Sequence, residues 1–140
     1  MNSKVRNSGG CLCGGVRYEV RGPLRPVVNC HCSQCRRTSG HFVAATAAKK
    51  RDLEIHEAGA LRWYKSSEKA RRGFCAACGS SLFWEPFEEG WVAIMAGTLD
   101  GPTGLRTEAD IFVADAGDYY RVADSSTGRN DGEHGLFPED

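Results

Sequence analysis

The sequence predicts a mostly β domain, and three observations support this prediction. Short segments of alternating apolar and polar residues recur along the chain, as in Val-Arg-Tyr-Glu-Val at 16–20. The 17 glycines and 5 prolines interrupt these segments at short intervals, which is typical of turns between strands. The length of 140 residues matches one domain, and a hydrophobic fraction of 41% supplies a packed core.

The predicted strands follow one another in chain order. The alternating segment 16–20 comes first, and an extended segment at 27–29 follows a turn. The alanines of 42–48 also favour helix, but Gly40 and the charged run 49–52 bracket a segment short enough to favour a strand. The same reasoning predicts further strands at 53–55, 61–64, 81–85, 91–96 and 109–113.

Little helix is expected, and the single predicted helix is a short one after Cys35. Residues 1–8 are predicted to form an N-terminal arm and residues 9–124 the folded domain. Residues 125–140 are polar and rich in glycine, so a weakly ordered tail is predicted there.

Charge and hydropathy exclude several classes of partner. Eighteen basic residues balance eighteen acidic ones, so no electrostatic surface for nucleic acid or an anionic membrane is indicated. The chain has no run of eighteen apolar residues, so no membrane span is expected. Residues 1–8 lack the apolar stretch of a signal peptide, and the expected location is the cytoplasm. In that compartment clustered cysteines bind metal more often than they form disulfides.

Seven cysteines in three clusters carry the predicted chemistry. Disulfides pair cysteines two by two, so an odd number would leave one thiol unpaired, whereas a division into a metal site of four and a metal site of three uses all seven. The clusters are Cys11-Leu12-Cys13, Cys30-His31-Cys32-Ser33-Gln34-Cys35 and Cys75-Ala76-Ala77-Cys78.

The first and third clusters are predicted to share one closed, structural zinc site. Structural zinc prefers four thiolate or imidazole ligands in a tetrahedron. Glycine pairs at 9–10 and 14–15 flank the first cluster, and Gly79 ends the third. Glycines in such turns let backbone amides approach the sulfur atoms. The predicted ligands are Cys11, Cys13, Cys75 and Cys78.

The second cluster leaves Cys30, Cys32 and Cys35 for a different site. Three protein ligands and one open position describe a catalytic zinc, which could receive water or a substrate thiolate. The alternative is a second structural site that His31 or another side chain completes. His31 itself could be a fourth ligand, a supporting hydrogen-bond donor or a solvated ring.

Other side chains have two interpretations each. The pairs Arg36-Arg37 and Arg71-Arg72 could bind carboxylates or form solvated basic turns. The large aromatic residues Trp63, Phe83, Trp84 and Trp91 are expected in the core rather than around a ligand.

Three segments, at 9–18, 30–40 and 74–80, are similar to motifs that occur in the same order in one known family. On these motifs the chain resembles the glutathione-dependent formaldehyde-activating enzyme and centromere protein V family. The resemblance covers roughly residues 9 to 122, so it implies that the predicted domain at 9–124 is of this type. One departure is Tyr119-Tyr120-Arg121-Val122, which stands where the family often has an aromatic residue and a short motif ending in proline.

The resemblance implies a zinc-ribbon-like β-sandwich of short antiparallel strands, similar to methionine sulfoxide reductase B. It implies two Zn²⁺ ions per chain, a structural ion on the four cysteines and a labile, catalytic ion on the other three. It also implies a carbon–sulfur lyase that joins formaldehyde to the thiol of glutathione, giving S-hydroxymethylglutathione. Arg36, Arg37 or Arg71 could then hold the carboxylates of such a thiol. The expected partners are a small thiol and a small aldehyde, for a monomer or homodimer.

Two other functions compete with this interpretation. Centromere-protein relatives suggest a non-catalytic, zinc-stabilised binding module, and exposed thiolates would suit a redox or metal-storage role. An open fourth position at the site of Cys30, Cys32 and Cys35 would favour catalysis, and a buried site with four ligands would favour the binding module.

Overall fold

The computed structural model describes residues 4–122 and a short strand at 127–129. Within them it confirms the mostly β class, with eleven strands and a single α-helix. The helix, α1, spans Ser33–Ser39. The strands are β1 (Asn7–Gly10), β2 (Arg17–Val20), β3 (Val27–Cys30), β4 (Val43–Lys49), β5 (Leu53–Glu57), β6 (Leu61–Lys65), β7 (Ala70–Cys75), β8 (Ser81–Pro86), β9 (Trp91–Met95), β10 (Thr107–Ile111) and β11 (Thr127–Arg129).

The strands form two open sheets that are mostly antiparallel. Strands β1, β2 and β5 form the smaller sheet, with β2 in the centre. The larger sheet has the order β11-β10-β3-β4-β9-β8-β7-β6. Its pairs are antiparallel from β3 to β6, whereas β10 runs parallel to both β3 and β11.

One hydrophobic core joins the two sheets. Tyr18 of β2 meets Phe83 of β8 edge to face, with ring centroids 5.4 Å apart, and both side chains are almost fully buried. The same cluster contains Val20 of β2, Val16 just before that strand, and Ile94 of β9 in the larger sheet. Burial on both inner faces gives the sandwich arrangement, while the likeness to methionine sulfoxide reductase B stays a prediction.

Strand alternation gives the larger sheet two different faces. Ile94 and Phe83 point into the sandwich core, whereas their neighbours Ala93, Met95 and Trp84 belong to a separate apolar cluster. Successive side chains of a strand point to opposite faces, so this second cluster lies on the outer face of the sheet. Helix α1 lies there too, since its Cys35 packs in the same cluster.

The predicted strands are confirmed, with shifted ends and three additions, β1, β7 and β11. Strands β1 and β7 were not expected, because a glycine pair and a run of arginines lack the alternation of a strand. The strand predicted at 109–113 begins and ends two residues earlier, since Phe112 adopts a left-handed conformation (φ 54°) that stops it. The helix expected after Cys35 begins at Ser33 and therefore includes that cysteine.

The predicted boundaries of the arm, the domain and the tail stay predictions. Strand β1 begins at Asn7, inside the predicted arm at 1–8, and pairs with β2. Strand β11 falls inside the predicted tail at 125–140 and pairs with β10, while the rest of that tail lies outside the described residues. Among the helices that the structure describes, none is long and apolar enough to cross a membrane.

Candidate metal centres and the adjoining cavity

The first and third cysteine clusters meet in space. The sulfur atoms of all four predicted ligands lie within 4.8 Å of one another. The Sγ of Cys13 lies 3.7 Å from the Sγ of both Cys11 and Cys75. A tetrahedron with Zn–S distances of about 2.3 Å has sulfur–sulfur edges of about 3.8 Å. The donor set Cys11, Cys13, Cys75 and Cys78 therefore fits one zinc ion.

Backbone amides of the first cluster point at its sulfur atoms. The N–H of Val16 donates to the Sγ of Cys11 at 3.2 Å, and the N–H of Gly15 donates to the Sγ of Cys13 at 3.4 Å. A Cβ on Gly15 would lie only 3.3 Å from the Cys13 sulfur, so glycine permits this approach. Such N–H···S bonds stabilise the thiolate form that a metal requires.

The third cluster provides a similar turn. The N–H of Cys78 donates to the Sγ of Cys75 at 3.5 Å, and Gly79 closes the turn with φ +82°. The Ser80 hydroxyl lies 3.2 Å from the Sγ of Cys78, and this hydrogen bond lowers the pKa of that thiol to about 5. Cys75 is fully buried, so this site connects the first turn of the chain to the sandwich core.

The remaining three cysteines form a second group, which we call the trio: Cys30, Cys32 and Cys35. Their sulfur atoms also lie within 4.8 Å of one another. Cys30 ends β3, Cys32 is the N-cap of α1, and Cys35 lies in its first turn. The Sγ of Cys32 accepts a hydrogen bond from the N–H of Cys35 at 3.3 Å, which fixes its direction. The trio could hold a metal ion through three thiolates.

Negative charge in the trio is concentrated on one sulfur. Hydrogen bonds from the thiols of Cys30 and Cys35 lower the pKa of Cys32 to about 2. The pKa of Cys30 is raised far above its ordinary value. The largest cause is its hydrogen bond with Cys32, followed by its hydrogen bond with Cys35 and by burial. Three thiolates at this distance repel one another, so full deprotonation requires a bound cation.

His31 is neither a ligand nor a solvated ring. It is 1% exposed, and its Nε2 lies 2.7 Å from the Oδ1 of Asp110. Its Nδ1 lies 2.7 Å from the hydroxyl of Tyr120, so both ring nitrogens have partners within the protein. His31 therefore supports the loop between two trio cysteines. Within the described residues, no histidine, cysteine or carboxylate joins the trio as a fourth ligand.

A cavity of about 410 Å³ adjoins the trio on the outer face of the larger sheet. All three trio cysteines line it, together with apolar side chains of β3, β4 and β9. Trp84 and Trp91 also line it, 5.6 Å apart between ring centroids. Both pack against the apolar cluster of the outer face, as expected for core residues, but their contact with a cavity was not predicted. Phe83 is buried in the core as predicted, and Trp63 packs against that core. The side chains that line the cavity are those of Arg25, Val28, Cys30, Cys32, Ser33, Gln34, Cys35, Val43, Ala45, Ser67, Arg72, Trp84, Trp91, Ala93, Met95, Ile111 and Phe112.

The three arginines predicted to bind substrate lie outside this lining. Arg36 and Arg37 are on α1, and Arg37 is exposed. Arg71 donates to the carboxylate of Glu85 at 2.7 Å and lies 3.8 Å from the ring centroid of Trp63. A role of these three side chains in substrate binding stays a prediction.

Two other arginines line the cavity, Arg25 and Arg72. The Nη2 of Arg72 lies 3.7 Å from the Sγ of Cys35 and 3.2 Å from the Oε1 of Gln34. Its positive charge therefore favours the thiolate form of the trio. Arg25 was missed by sequence reasoning, because a charged residue beside Pro26 in a predicted turn normally lies in solvent.

Comparison with known proteins places these features in a family. The family described as glutathione-dependent formaldehyde-activating enzyme matches residues 6–115, which include all seven cysteines. The chain belongs to this family. Resemblance of the motifs around the cysteines had predicted the same membership, and the match now confirms it.

Two similar proteins extend the comparison beyond the family match. A protein of Schizosaccharomyces pombe that is described as an uncharacterized lyase is 27% identical over 126 residues, covering 85% of this chain and 87% of its own length. A crystal structure of a Rhodobacter sphaeroides protein superposes with a TM-score of 0.58 at 26% identity. That similarity covers 71% of this chain and 97% of the bacterial one.

Proposed function

We propose that this chain is a zinc-dependent carbon–sulfur lyase that forms or cleaves the adduct of a thiol with a small aldehyde. The observation that carries the proposal is the opening of three clustered thiols onto a cavity large enough for a small molecule. Family membership supports an enzyme of formaldehyde-activating type, and the yeast relative described as a lyase supports the reaction class. S-hydroxymethylglutathione, made from glutathione and formaldehyde, is the first adduct to test.

The two cysteine groups differ in what they offer a metal. The four-cysteine group supplies a complete tetrahedron, and we propose a structural zinc there. The trio supplies three thiolates beside a cavity, and we propose a labile, catalytic zinc there. A zinc ion with an open position lowers the pKa of a thiol and polarises a carbonyl group.

The proposed reaction balances without a further reactant. In synthesis the substrate sulfur bonds to the carbonyl carbon, and the electron pair of the C=O bond moves to oxygen. That oxygen takes up the proton which the thiol releases. In cleavage the hydroxyl proton leaves as the C–S bond breaks, and the thiol regains a proton.

The residues around the cavity have separate roles in this reaction. The apolar walls, among them Trp84, Trp91 and Met95, exclude water from the reacting atoms. Arg72 stabilises negative charge at Cys35 from 3.7 Å. His31 and Asp110 hold the loop that carries the trio in place.

The proposed setting is a reducing compartment, the cytoplasm, because the cysteines must remain thiols to bind metal, and all seven are free in the structure. The partners are small molecules rather than nucleic acid or membrane, for a monomer or homodimer. A non-catalytic, zinc-stabilised binding module remains the competing outcome in the test below.

The first experiment measures zinc per chain on protein purified under reducing conditions, before and after mild chelation. The proposal expects two zinc ions falling to one while the protein stays folded. Exchange between glutathione and ¹³C-formaldehyde is then followed by NMR above the spontaneous rate. Cys32→Ser should abolish the catalysed exchange, whereas Tyr64→Phe, on the exposed edge strand β6, should leave it unchanged.

Three outcomes contradict parts of the proposal. Two zinc ions that both resist chelation, with no exchange above the spontaneous rate, would identify a binding module. Protein that is folded but contains little zinc would contradict the proposed dependence on zinc. Catalysed exchange that survives in Cys32→Ser would remove the trio from the mechanism.

A further inference from the structure

The cavity combines apolar walls with positive charge. Its charged lining residues, within the described part of the chain, are Arg25 and Arg72. Aromatic and aliphatic side chains such as Trp84, Trp91 and Met95 form most of the remaining wall. A buried cation is unfavourable unless an anion pairs with it, so each arginine needs a counter-charge.

Arg72 has a counter-charge available within the protein. Its Nη2 contacts Cys35, and its Nη1 lies 3.3 Å from the hydroxyl of Thr38. Three thiolates around a divalent cation leave one net negative charge, and Arg72 is placed to balance it. The charge of Arg72 is therefore committed to the trio.

Arg25 forms no ion pair with a described residue, and Glu108 acts on it only from beyond ion-pair distance. The side chain is 8% exposed, and its Nε and Nη2 donate to the backbone carbonyls of Pro26 and Ala45 at 3.4 and 3.2 Å. Both acceptors are neutral, and no carboxylate of the described residues lies within 4.0 Å of its guanidinium. Burial lowers the pKa of Arg25 to about 10, and the negative charge of Glu108 offsets only part of this effect.

The backbone of Arg25 is held firmly against β4. Its N–H donates to the carbonyl of Ala47 at 2.9 Å, and its own carbonyl accepts a hydrogen bond from the Thr46 hydroxyl. The guanidinium lies 6.0 Å from the ring centroid of Trp91, another cavity residue. A side chain fixed in this way is ordered before a ligand arrives, which favours binding.

We propose that Arg25 binds a carboxylate of the substrate, and that the substrate is an adduct with an apolar body and a single negative charge. The proposal rests on the proposed function for the thiol and aldehyde parts of that adduct. Glutathione has two carboxylates and an ammonium group, whereas the described lining offers one cation that forms no ion pair, no carboxylate and an apolar wall. An aryl or alkyl thiol that carries a carboxylate complements this cavity better.

Unreactive thioethers test the inference without catalysis. The first pair is 3-(benzylthio)propanoate and its amide, which have nearly the same size and shape but differ in the terminal group, which is an anion in the acid and neutral in the amide. Binding to zinc-loaded protein is followed by tryptophan fluorescence, since two of the three tryptophans line the cavity, and by calorimetry. The acid should bind at least about tenfold more tightly than the amide. It should also bind at least about tenfold more tightly than 3-(methylthio)propanoate, because the benzyl group fills apolar space.

Variants assign the charge preference to one residue. Arg25→Gln keeps hydrogen-bond donors for the two backbone carbonyls and removes the charge, so acid and amide should bind equally. Arg25→Met is the second variant if Arg25→Gln does not fold. Arg62→Met removes an exposed arginine of β6 outside the cavity lining and should retain the preference.

The outcomes separate this inference from the proposed function. Equal binding of acid and amide to the wild type, no binding of either, or a preference that survives in both Arg25 variants would overturn the role of Arg25. Methyl and benzyl acids of equal affinity would overturn the apolar body. If exchange of glutathione with formaldehyde is catalysed but the acid has no advantage, the proposed function stands and this inference fails. A charge preference that depends on Arg25, without catalysis of any adduct, supports the anion site and contradicts the lyase.

Discussion

The Sγ atoms of Cys13 and Cys75 lie 3.7 Å apart, although 62 positions separate the two residues in the chain. This contact joins the turn between β1 and β2 to the turn between β7 and β8, and therefore joins the two sheets at the ends of these strands. A metal ion shared by these turns would close a long loop in the unfolded chain, and its binding free energy would contribute to folding.

Cys75→Ser should lose one zinc per chain and unfold more easily. The expected decrease in the free energy of unfolding is about 3 kcal/mol or more, because a structural metal and a fully buried sulfur are lost together. Zinc analysis and urea unfolding check this result. Cys32→Ser is the matched control, since serine can still cap α1 there. Equal losses of stability in the two variants would contradict the division into structural and catalytic sites.

Asp110→Ala should destabilise the protein although Asp110 is not one of the proposed metal ligands. The carboxylate accepts from the Asn29 amide at 3.2 Å and contacts His31 in the interior, so alanine leaves buried polar groups without a partner. The expected cost is about 1–3 kcal/mol. Urea unfolding measures it, with exposed Glu89→Ala as the control. A change below about 0.5 kcal/mol in Asp110→Ala would show that His31 does not depend on this contact.

Gly9→Ala should be far more damaging than Gly59→Ala. A Cβ on Gly9 would overlap the hydroxyl of Tyr18 and the backbone carbonyl of Thr98, whereas a Cβ on Gly59 meets no atom within 4 Å. Overpacking against backbone costs about 1–3 kcal/mol, and the expected effect lies at the upper end of that range. Thermal unfolding of both variants checks the difference. Similar melting temperatures would mean that β1 and β2 can separate at little cost.

Glu85 should make stability depend on pH in the acid range. Burial raises the pKa of its carboxyl, but hydrogen bonds from Lys50 and Arg71 outweigh burial and leave the pKa below its ordinary 4.5. The folded state therefore binds the proton less readily than the unfolded state. The stabilisation is complete above about pH 4.5 and is lost as pH falls through the lower folded pKa.

Comparison with Glu85→Gln isolates this effect, since loss of metal in acid affects both proteins equally. At about pH 7 the wild type should be more stable by about 1–2 kcal/mol, and this difference should shrink as the pH falls below about 4.5. Urea unfolding across that range measures the difference. Glu89→Gln, at an exposed position, should show no such trend. A difference that stays constant or grows in acid would mean that the ion pairs of Glu85 do not hold its charge.

Much of the site could be predicted because metal ligands lie close together in the sequence. Cys75 and Cys78, or Cys32 and Cys35, reach one ion from a single turn whatever the rest of the fold does. The partnership of Cys13 with Cys75 was predicted from the count of ligands and from the glycines that flank both clusters. Strands such as β2 were predicted because alternation is a local signal as well.

Which arginines line the cavity could not be predicted from the sequence. Arg36 and Arg37 lie near the trio in sequence, yet the cavity is lined by Arg25 and Arg72. The sequence around Arg25 is that of a solvated turn, and its burial comes from β4 and β9, which are far away along the chain. Trp84 packs in a second apolar cluster, because the outer face of its sheet is covered too, by α1.

The sequence by itself determined eight of the eleven strands, the two groups of cysteines and the family, because these depend on spacings within a few residues. Only the tertiary structure decided that His31 is bound by Asp110 and Tyr120, that the trio opens onto a cavity, and that Arg25 lines this cavity without an ion pair to a described residue. Burial and charge pairing are properties of neighbours in space. In the larger sheet, strands that are far apart in the chain lie side by side, such as β3 and β10 or β4 and β9. The residues that surround a side chain therefore depend on the order of the strands and on the face of the sheet to which the side chain points.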